Sequence, residues 1–552
     1  MSEETYDYII IGAGSSGCVV ANRLSADPKT RVLLLEAGPE DRNRWIHVPA
    51  GMMRLFTDTD INWAYSTEPE PELGGRRVYW PRGKTLGGSS AINGMAYVRG
   101  QPQDYDQWAS LGNDGWRWSD VLPLFRRSEA YWGGADALHG DGRDPHGSAG
   151  HVEVTSSQGR MARGSAIDRA TEAFIAGAAE TGLPVNTDFN GPVQEGAGWV
   201  DHTITGRGRR DSTATGYLRP ARNRPNLTVK AGALVDRLVL EGARAVAVDY
   251  ERGGARRRAK AAGEIILCAG AVNSPQLLMR SGVGPARQLA GLGIAVEHDN
   301  PNVGANLQDH MYVHWVHEVR PGFSFNHEIS GPRLLPNILA FYLRGRGLLT
   351  TGASSGYIFC RSREGIDTPD IQVGFRAFSS EPMVSGTAGT HRFPGWSASV
   401  TNLRPKSRGR IELASADPRD APRIFANYLS HPADLDVMMN ALRRVERIYA
   451  APTMRDVLVR RLAPAGEIAD DADLEAYIRS RGDTMFHPVG TCRMGTGDDA
   501  VVDPQLRVRG IAGLRVADAS IMPTIISGNT NAPCIMIGEK AADLILDRRS
   551  AA

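Results

Sequence analysis

Residues 6–17 read Tyr-Asp-Tyr-Ile-Ile-Ile-Gly-Ala-Gly-Ser-Ser-Gly, an apolar run of strand length that passes directly into the spacing GxGxxG. In a strand–turn–helix unit each of the three glycines has a different task. Gly12 allows the tight turn, Gly14 lets a pyrophosphate approach the backbone, and Gly17 lets the following helix pack closely on the strand. The stretch therefore predicts a Rossmann-like dinucleotide-binding unit at the start of the chain.

The residues that follow the turn favour the same prediction. Ser15 and Ser16 open the helix, and the free N–H groups of a helix N-terminus attract phosphate. A second apolar run, residues 31–35, ends on Glu36 and Ala37. A carboxylate about twenty residues after the glycines suits hydrogen bonding to a ribose diol. Glu at this position, where an Arg would accept a 2′-phosphate, argues against a phosphorylated ribose.

Length and charge limit the classes of function. With 552 residues the chain is too long for one ordinary core and should divide into two or more large units. Lys plus Arg number 63 and Asp plus Glu 62, so the net charge of +1 creates no field that attracts a polyanion, and we expect no nucleic-acid partner. The five cysteines lack any zinc-ligand spacing. We expect reduced thiols, no metal site and a cytoplasmic protein.

Neither a secretion signal nor an apolar run of membrane-spanning length is predicted. The segment 334–343 is apolar and is flanked by Arg333, Arg344 and Arg346. We interpret it as a helix that lines the substrate domain. The alternative is a helix that docks on an anionic surface, which would make the protein peripheral to the inner face of a membrane.

Further segments resemble, over nearly the whole chain, the glucose-methanol-choline family of FAD oxidoreductases. Residues 83–93, which read Gly-Lys-Thr-Leu-Gly-Gly-Ser-Ser-Ala-Ile-Asn, match the first signature of that family. Residues 270–284 match the second signature at each defined position. Residues 487–495 and 528–533 resemble the catalytic end of the family.

The resemblance implies an α/β fold with two domains. One is a Rossmann-like FAD-binding domain, formed by residues 1–155, 195–315 and 480–552. The other is a substrate-binding domain built on an antiparallel sheet with helices, formed by residues 156–194 and 316–479. Within the second domain, the Gly/Thr/Ser-rich segment 385–391 is interpreted either as a mobile cover over the active site or as a surface loop.

The resemblance also implies which residues contact FAD. Gly87, Gly88 and Ser89 offer closely spaced donors for the pyrophosphate and an edge of the isoalloxazine. The other residues that it places at the cofactor are Asn93, Gly94, Met95, Ala96, Val235, Ala269, Asp518, Ala519, Asn531 and Pro533. Some relatives link the flavin covalently to a histidine of the first signature. This chain has Ala-Ile-Asn at residues 91–93, so we expect non-covalent FAD.

Alcohol oxidation requires loss of the hydroxyl proton and loss of a hydride from the same carbon, and a flavin accepts only the hydride. His487 is the predicted base, because imidazole titrates near neutrality. Asn529 is predicted to donate a hydrogen bond to the developing alkoxide. Asn531 is the alternative for that role, but the resemblance favours Asn529. His310 and His151 are interpreted as packing or hydrogen-bonding residues without a catalytic role.

The pattern looks closest to bacterial choline-dehydrogenase-like alcohol dehydrogenases, which implies oxidation of a primary alcohol to the aldehyde. The segment 351–359, expected to line the pocket, lacks the aromatic and acidic cluster that a quaternary ammonium needs. We therefore favour an uncharged aliphatic or aromatic alcohol, with a quinone or a soluble carrier as the electron acceptor. The alternatives are an oxygen-using alcohol oxidase of the choline or hydroxymethylfurfural type, and a non-redox flavin-containing lyase.

Overall fold

The computed structural model of the chain describes residues 4–142, 150–329, 331–380 and 389–550. Within these residues the chain forms two seven-stranded sheets, each with its own hydrophobic core. Most of the segment 385–391, considered above as a cover over the active site, lies outside the described residues.

The first sheet is built around the Gly-rich turn. Its central strand, Glu4–Ile11, runs parallel to Val32–Glu36 on one side and to Ala255–Leu267 on the other. Residues 8–11 and 32–36 are buried, as expected of parallel strands that are covered on both faces. The remaining strands of this sheet are Leu227–Ala231, Ala233–Glu241, Arg244–Arg252 and Leu514–Val516. Its helices include Ser15–Leu24, Pro102–Ser110, Trp118–Ser128, Gly270–Arg280 and Asn531–Ser550.

Two glycines of the turn are required by its geometry. Gly12 has a φ of +99°, in the left-handed region that favours glycine. A Cβ at Gly17 would lie 1.9 Å from the carbonyl oxygen of Gly12, so no other residue allows the helix to approach the strand this closely. The predicted strand, turn and helix are therefore all present.

The second sheet is antiparallel. In spatial order its strands are Leu458–Ala463, Met311–Val319, Gly395–Asn402, Ile371–Arg376, Gly356–Cys360 and Gly196–Trp199, with Asp483–Thr484 paired to Met311–Val319. The helices of this region include Ala166–Ala179, Leu334–Arg344, Pro432–Tyr449 and Asp471–Arg481. The predicted fold class is confirmed. Residues 195–315 were assigned to the FAD-binding domain. Two strands at the ends of this range, Gly196–Trp199 and Met311–Val319, belong to the second sheet. The exact domain boundaries stay a prediction.

The first and last helices of the chain pack directly on each other. The last helix is Asn531–Ser550. Pro533 lies in its first turn, where a missing N–H costs no helical hydrogen bond. A Cβ at Gly538 would lie 2.8 Å from the carbonyl oxygen of Ser16, so the two helices are in contact at this glycine.

A buried ionic network joins the same two helices. Glu539, which is fully buried, accepts from Arg23 Nε at 2.9 Å and from Arg23 Nη2 at 2.7 Å. Arg127 Nη2 lies 2.9 Å from the same carboxylate, and the Tyr217 hydroxyl donates to it at 2.7 Å. Both carboxylate oxygens are thus engaged. This set is stable only while all of its members are present, because a buried charge without its partner is costly.

We expect Glu539→Gln to lower the free energy of unfolding by about 3 kcal/mol, because a neutral amide leaves two buried guanidinium groups uncompensated. Chemical unfolding of the purified protein measures the change. Glu475→Gln is the matched control, since its i,i+4 pair with Arg479 is 31–41% exposed and should contribute about 0.5 kcal/mol or less. Equal effects of the two substitutions would contradict the account of the network.

Candidate active site

A cavity of about 1080 Å³ extends from the Gly-rich turn to the second sheet. Of the residues predicted to contact the cofactor, all but Gly17, Gly87 and Pro533 line it, and so do His487 and Asn529. Gly17 and Gly87 lie beneath the surface. Gly17 packs on the central strand, and the Gly87 N–H donates to the Ala13 carbonyl at 2.7 Å. Two segments almost 500 residues apart in sequence therefore share one cavity.

Two buried carboxylates hold the backbone at the dinucleotide end of this cavity. Glu36 accepts from the N–H groups of Ala13 and Gly38, each at 2.9 Å, and burial raises the pKa of Glu36 to about 7. Asp518 accepts from the Gly270 N–H at 2.8 Å and from the Ser274 hydroxyl at 2.6 Å. Both carboxylates shape the turns against which a ligand would lie.

His487 is held by hydrogen bonds on all sides. Its backbone N–H donates to Asp309 at 2.8 Å, its ring Nδ1 lies 3.0 Å from Nδ1 of His310, and its Nε2 lies 3.3 Å from Nδ2 of Asn529. Nε2 of His310 in turn lies 3.0 Å from the Leu403 carbonyl oxygen.

These contacts assign the proton of each ring. A carbonyl oxygen only accepts, so Nε2 of His310 carries a hydrogen and donates it to Leu403. Nδ1 of a neutral His310 is then an acceptor, and Nδ1–H of His487 is its donor. Nε2 of His487 is left without a hydrogen, and its lone pair accepts from the amide Nδ2 of Asn529. The arrangement therefore presents a base at Nε2 of His487.

The electrostatic surroundings keep both rings neutral. Burial lowers the pKa of His310 to about 4. Burial holds the pKa of His487 well below its usual range, and the charge that His310 would gain on protonation and the charge of Arg82 lower it further. His487 is accordingly unprotonated at neutral pH, as a base must be at the start of the reaction.

Asn529 is oriented by a residue that the sequence did not single out. The hydroxyl of Tyr357 donates to Oδ1 of Asn529 at 3.2 Å, which turns the amide Nδ2 toward His487. Tyr357 lies in the segment 351–359 that was expected to line the pocket, and Ala353, Ser354 and Tyr357 do line it. The alternative residue, Asn531, instead accepts from the Ser15 hydroxyl at 2.8 Å where the two helices begin.

The backbone next to this site adopts an uncommon conformation at two positions. Phe486, which precedes His487, has a φ of +64°, and Met95 has a φ of +65°. Both residues line the cavity, and bulky side chains rarely occupy the left-handed region. Such conformations persist where the surrounding structure holds them, and they cluster at functional sites. Here they set the direction in which His487 and the backbone at Met95 face the cavity.

Comparison with known proteins identifies the family. Sequence models of GMC oxidoreductases match residues 6–312 and 405–538, which together make up most of the chain. The chain belongs to the GMC oxidoreductase family. It is 41% identical over 549 residues to an alcohol dehydrogenase [acceptor] from Pseudomonas putida, covering 98% of this chain and 96% of that protein. It is 42% identical over 552 residues to an oxygen-dependent choline dehydrogenase 1 from Chromohalobacter salexigens, with coverages of 98% and 95%.

Solved structures agree with this assignment. The crystal structure of pyridoxine 4-oxidase from Mesorbium loti matches with a TM-score of 0.85 and 31% identity, covering 97% of this chain and 98% of that one. As a GMC oxidoreductase, the protein is an FAD-dependent enzyme that acts on CH–OH groups, with a small-molecule alcohol as its substrate class.

The cavity fits non-covalent FAD. Gly14 precedes the helix Ser15–Leu24 without any side-chain cap, and the nearest atom to a Cβ built on Gly14 is 3.9 Å away. The protein thus leaves the space in front of this helix N-terminus to a ligand, and such a terminus attracts a pyrophosphate. Residues 91–93 contain no histidine that could form a covalent link.

Two further properties of the described residues bear on the site and its location. Among residues 4–142, 150–329, 331–380 and 389–550, no helix combines the length and the apolar character needed to cross a membrane. The same part of the chain contains no group of three or more His, Cys, Asp or Glu side chains that could hold a metal ion.

We expect His310→Phe to retain FAD but to slow flavin reduction by alcohol about 10- to 100-fold, because Nδ1–H of His487 loses its acceptor and the reactive tautomer is no longer fixed. Stopped-flow anaerobic reduction measures the rate. The substitution also removes the charge that a protonated His310 would place beside His487. The pKa of His487 should therefore rise, and the acid limb of the rate–pH profile should move toward neutral pH. A slower rate with an unmoved profile would mean that His310 only packs.

Proposed function

We propose that the enzyme oxidises a primary alcohol, aliphatic or aromatic, to the aldehyde, with His487 as the base and Asn529 as the stabiliser of the developing alkoxide. The observation that carries the proposal is the pair formed by Nε2 of His487 and Nδ2 of Asn529, 3.3 Å apart on the wall of the cavity that the predicted FAD-contact residues line. FAD supplies the hydride acceptor when it is bound.

Each side chain of the site has a separate role in this reaction. The lone pair on Nε2 of His487 takes the hydroxyl proton. The hydrogen on Nδ1 of His487 stays hydrogen-bonded to Nδ1 of His310 throughout. The amide Nδ2 of Asn529 donates to the oxygen as its negative charge develops, and Tyr357 holds the amide in that orientation. Arg82, whose Nη2 donates to the Phe486 carbonyl at 2.7 Å, adds a positive charge near the same point.

For the electron acceptor we propose a quinone or a soluble carrier in preference to oxygen, and for the location the cytoplasm. The similarity to an alcohol dehydrogenase that uses an acceptor supports the first of these. The similarity to pyridoxine 4-oxidase and to an oxygen-dependent choline dehydrogenase makes oxygen the alternative to be tested.

The deciding experiment is an anaerobic absorbance spectrum of the purified flavoprotein with primary alcohols, choline and sugars, followed by admission of air. We expect a primary alcohol to bleach the flavin, and the bleached state to persist in air. His487→Ala should keep the yellow colour and lose at least about 100-fold in the rate of bleaching, the usual share of a general base. The exposed His327 serves as the control, because His327→Ala should change neither.

Other outcomes separate the alternatives. Rapid return of colour in air would identify an oxidase. Yellow protein that no alcohol bleaches would favour the flavin-containing lyase. Colourless His487→Ala protein would mean that His487 is structural and that the proposed base is wrong.

We also propose that the helix Leu334–Arg344 binds the surface of an anionic membrane. Four apolar residues on it are exposed, namely Leu335 (58%), Leu339 (51%), Tyr342 (62%) and Leu343 (78%). Arg333, Arg344 and Arg346 at its ends are exposed as well. The helix does not line the cavity. Apolar side chains beside basic ones suit a helix that lies in a lipid interface.

The double substitution Leu339→Glu/Leu343→Glu should weaken sedimentation with phosphatidylglycerol vesicles at least about 10-fold, since burial of each leucine contributes about 1.5–3 kcal/mol. Val185→Glu/Val193→Glu is the matched control, because these valines are 60% and 62% exposed but lie outside the helix. Unchanged sedimentation of the helix variant, or no sedimentation of the unmodified protein, would contradict the proposal.

A further inference from the structure

The antiparallel sheet presents a row of polar side chains to the cavity. His314 pairs with Ser399, Ser399 with Gly374, and Gly374 with Tyr357, so these four residues of neighbouring strands stand side by side. Apart from Gly374 itself, all of them line the cavity. A Cβ at Gly374 would lie 2.8 Å from the Ser399 hydroxyl, so the glycine leaves room for the groups around it.

Arg376 is a charged residue on the same face of this antiparallel sheet. It lies two residues after Gly374 on the same strand, and residues two apart point to the same face of a sheet. It is therefore a diagonal neighbour of Tyr357, the residue that orients Asn529. Arg376 lines the cavity. Arg376 thus lies on the strand next to that of Tyr357, and its guanidinium reaches across the sheet to His314.

Within the part of the chain that the structure describes, Arg376 has no carboxylate partner. Its Nη2 donates to Nδ1 of His314 at 3.1 Å, and its Nε is buried without a hydrogen-bond partner. Burial lowers the pKa of Arg376 somewhat, but a guanidinium keeps its charge in proteins. A buried cation with unused donors is costly unless something else supplies the acceptors.

His314, which accepts from Arg376, also orients the hydroxyl group of Tyr312 as a second hydrogen-bond donor. Nδ1 of His314 accepts from Arg376, so its Nε2 carries the hydrogen of the neutral ring and donates to the hydroxyl oxygen of Tyr312 at 3.2 Å. Burial and the charge of Arg376 lower the pKa of His314 to about 3, which agrees with a neutral ring. The hydroxyl hydrogen of Tyr312, which also lines the cavity, is then free to be donated to a ligand.

The acidic residues that line the cavity are engaged elsewhere. Glu36 and Asp518 hold backbone N–H groups at the dinucleotide end. Asp483 accepts from the N–H of Thr484, and the arginine that acts on its carboxylate is Arg76. None of the three is bonded to Arg376. The substrate part of the cavity therefore carries a positive charge that no described side chain neutralises.

We propose that Arg376, together with the Tyr312 hydroxyl, binds a carboxylate at the end of the substrate remote from the reacting carbon. The substrate is then a primary alcohol that carries a carboxylate, and a quaternary ammonium such as choline is disfavoured. The inference rests on the proposed alcohol oxidation and refines it, because an uncharged alcohol was favoured from the sequence. A planar guanidinium presents paired N–H donors along one edge, which match the two oxygens of a carboxylate.

Like charges explain the exclusion of choline. Aromatic rings of Tyr312, Tyr357 and Tyr477 line this part of the cavity and could face an ammonium group. A buried guanidinium among them repels that cation, and like-charge contacts of this kind discriminate against wrong partners.

The test compares isosteres on the FAD-loaded enzyme. In anaerobic stopped-flow reduction, 4-(hydroxymethyl)benzoate should reduce the flavin with at least about 10-fold greater efficiency than its methyl ester or benzyl alcohol, and choline should be poorest. An independent binding measurement needs no turnover: benzoate should perturb the spectrum of the oxidised flavin at lower concentration than benzamide.

Substitutions assign the preference to Arg376. Arg376→Met should lower efficiency with the carboxylate about 100-fold, the loss expected when one partner of a buried charge pair is removed. The efficiency with benzyl alcohol, which has no carboxylate, should change far less. Arg376→Lys should restore part of the preference and shows whether the site still folds. Arg481→Gln removes a charge from another part of the same cavity and should leave the preference intact.

Glu381 lies five positions after Arg376 in the sequence, outside the described residues, and is tested directly. A strong gain in carboxylate binding by Glu381→Gln would mean that the protein neutralises Arg376 itself, which would overturn the inference. Equal reduction by the acid and the neutral alcohols, unaffected by Arg376→Met, would overturn it while the proposed function stands. Absence of bleaching by every alcohol would overturn both.

Discussion

The site depends on the contact between the first and last helices of the chain. Gly538 lets Asn531–Ser550 approach the backbone of Ser16, and the buried carboxylate of Glu539 holds Arg23 of the first helix. Because both helices begin at the cavity, this contact brings the Gly-rich turn next to the segment that carries Asn529. Two parts of the sequence that are separated by the whole second domain thus form one site.

The chemistry depends on keeping two imidazoles neutral while they are buried. Burial of His310 lowers its pKa more than the backbone carbonyls raise it, and the Leu403 carbonyl fixes its tautomer. Keeping His310 neutral makes the folded state less stable at acidic pH. The folded-state pKa of His310, about 4, lies below the value near 6.5 of an unfolded chain, so the unfolded state binds more protons between these two values. Stability contributed by the pair is complete above pH 6.5 and is lost as the pH falls toward 4.

The local parts of the structure could be predicted from the sequence, because short motifs determine them. The GxGxxG turn and the segments containing His487 and Asn529 carry their information in adjacent residues, and each lies where it was expected. Tyr357 and Arg376 could not be assigned roles, because the register of antiparallel strands far apart in sequence brings them to the cavity. Gly17 packs on the central strand, as the GxGxxG motif predicts. Gly87 was expected at the ligand, but it lies beneath the surface and its N–H donates to the Ala13 carbonyl.

The low proton affinity of His487 also constrains the reaction itself. An alcohol is a far weaker acid than an imidazolium, so a base with a lowered pKa cannot hold the hydroxyl proton unless the oxygen is stabilised at the same time. In the proposed reaction the amide of Asn529 and the charge of Arg82 act on that oxygen. Their positive potential lowers the pKa of the base and that of the alcohol together, so the difference between them changes less than either value. In the proposed reaction we therefore expect proton removal to become favourable only as the hydride leaves the carbon, which ties the two events to one another and keeps a free alkoxide from accumulating.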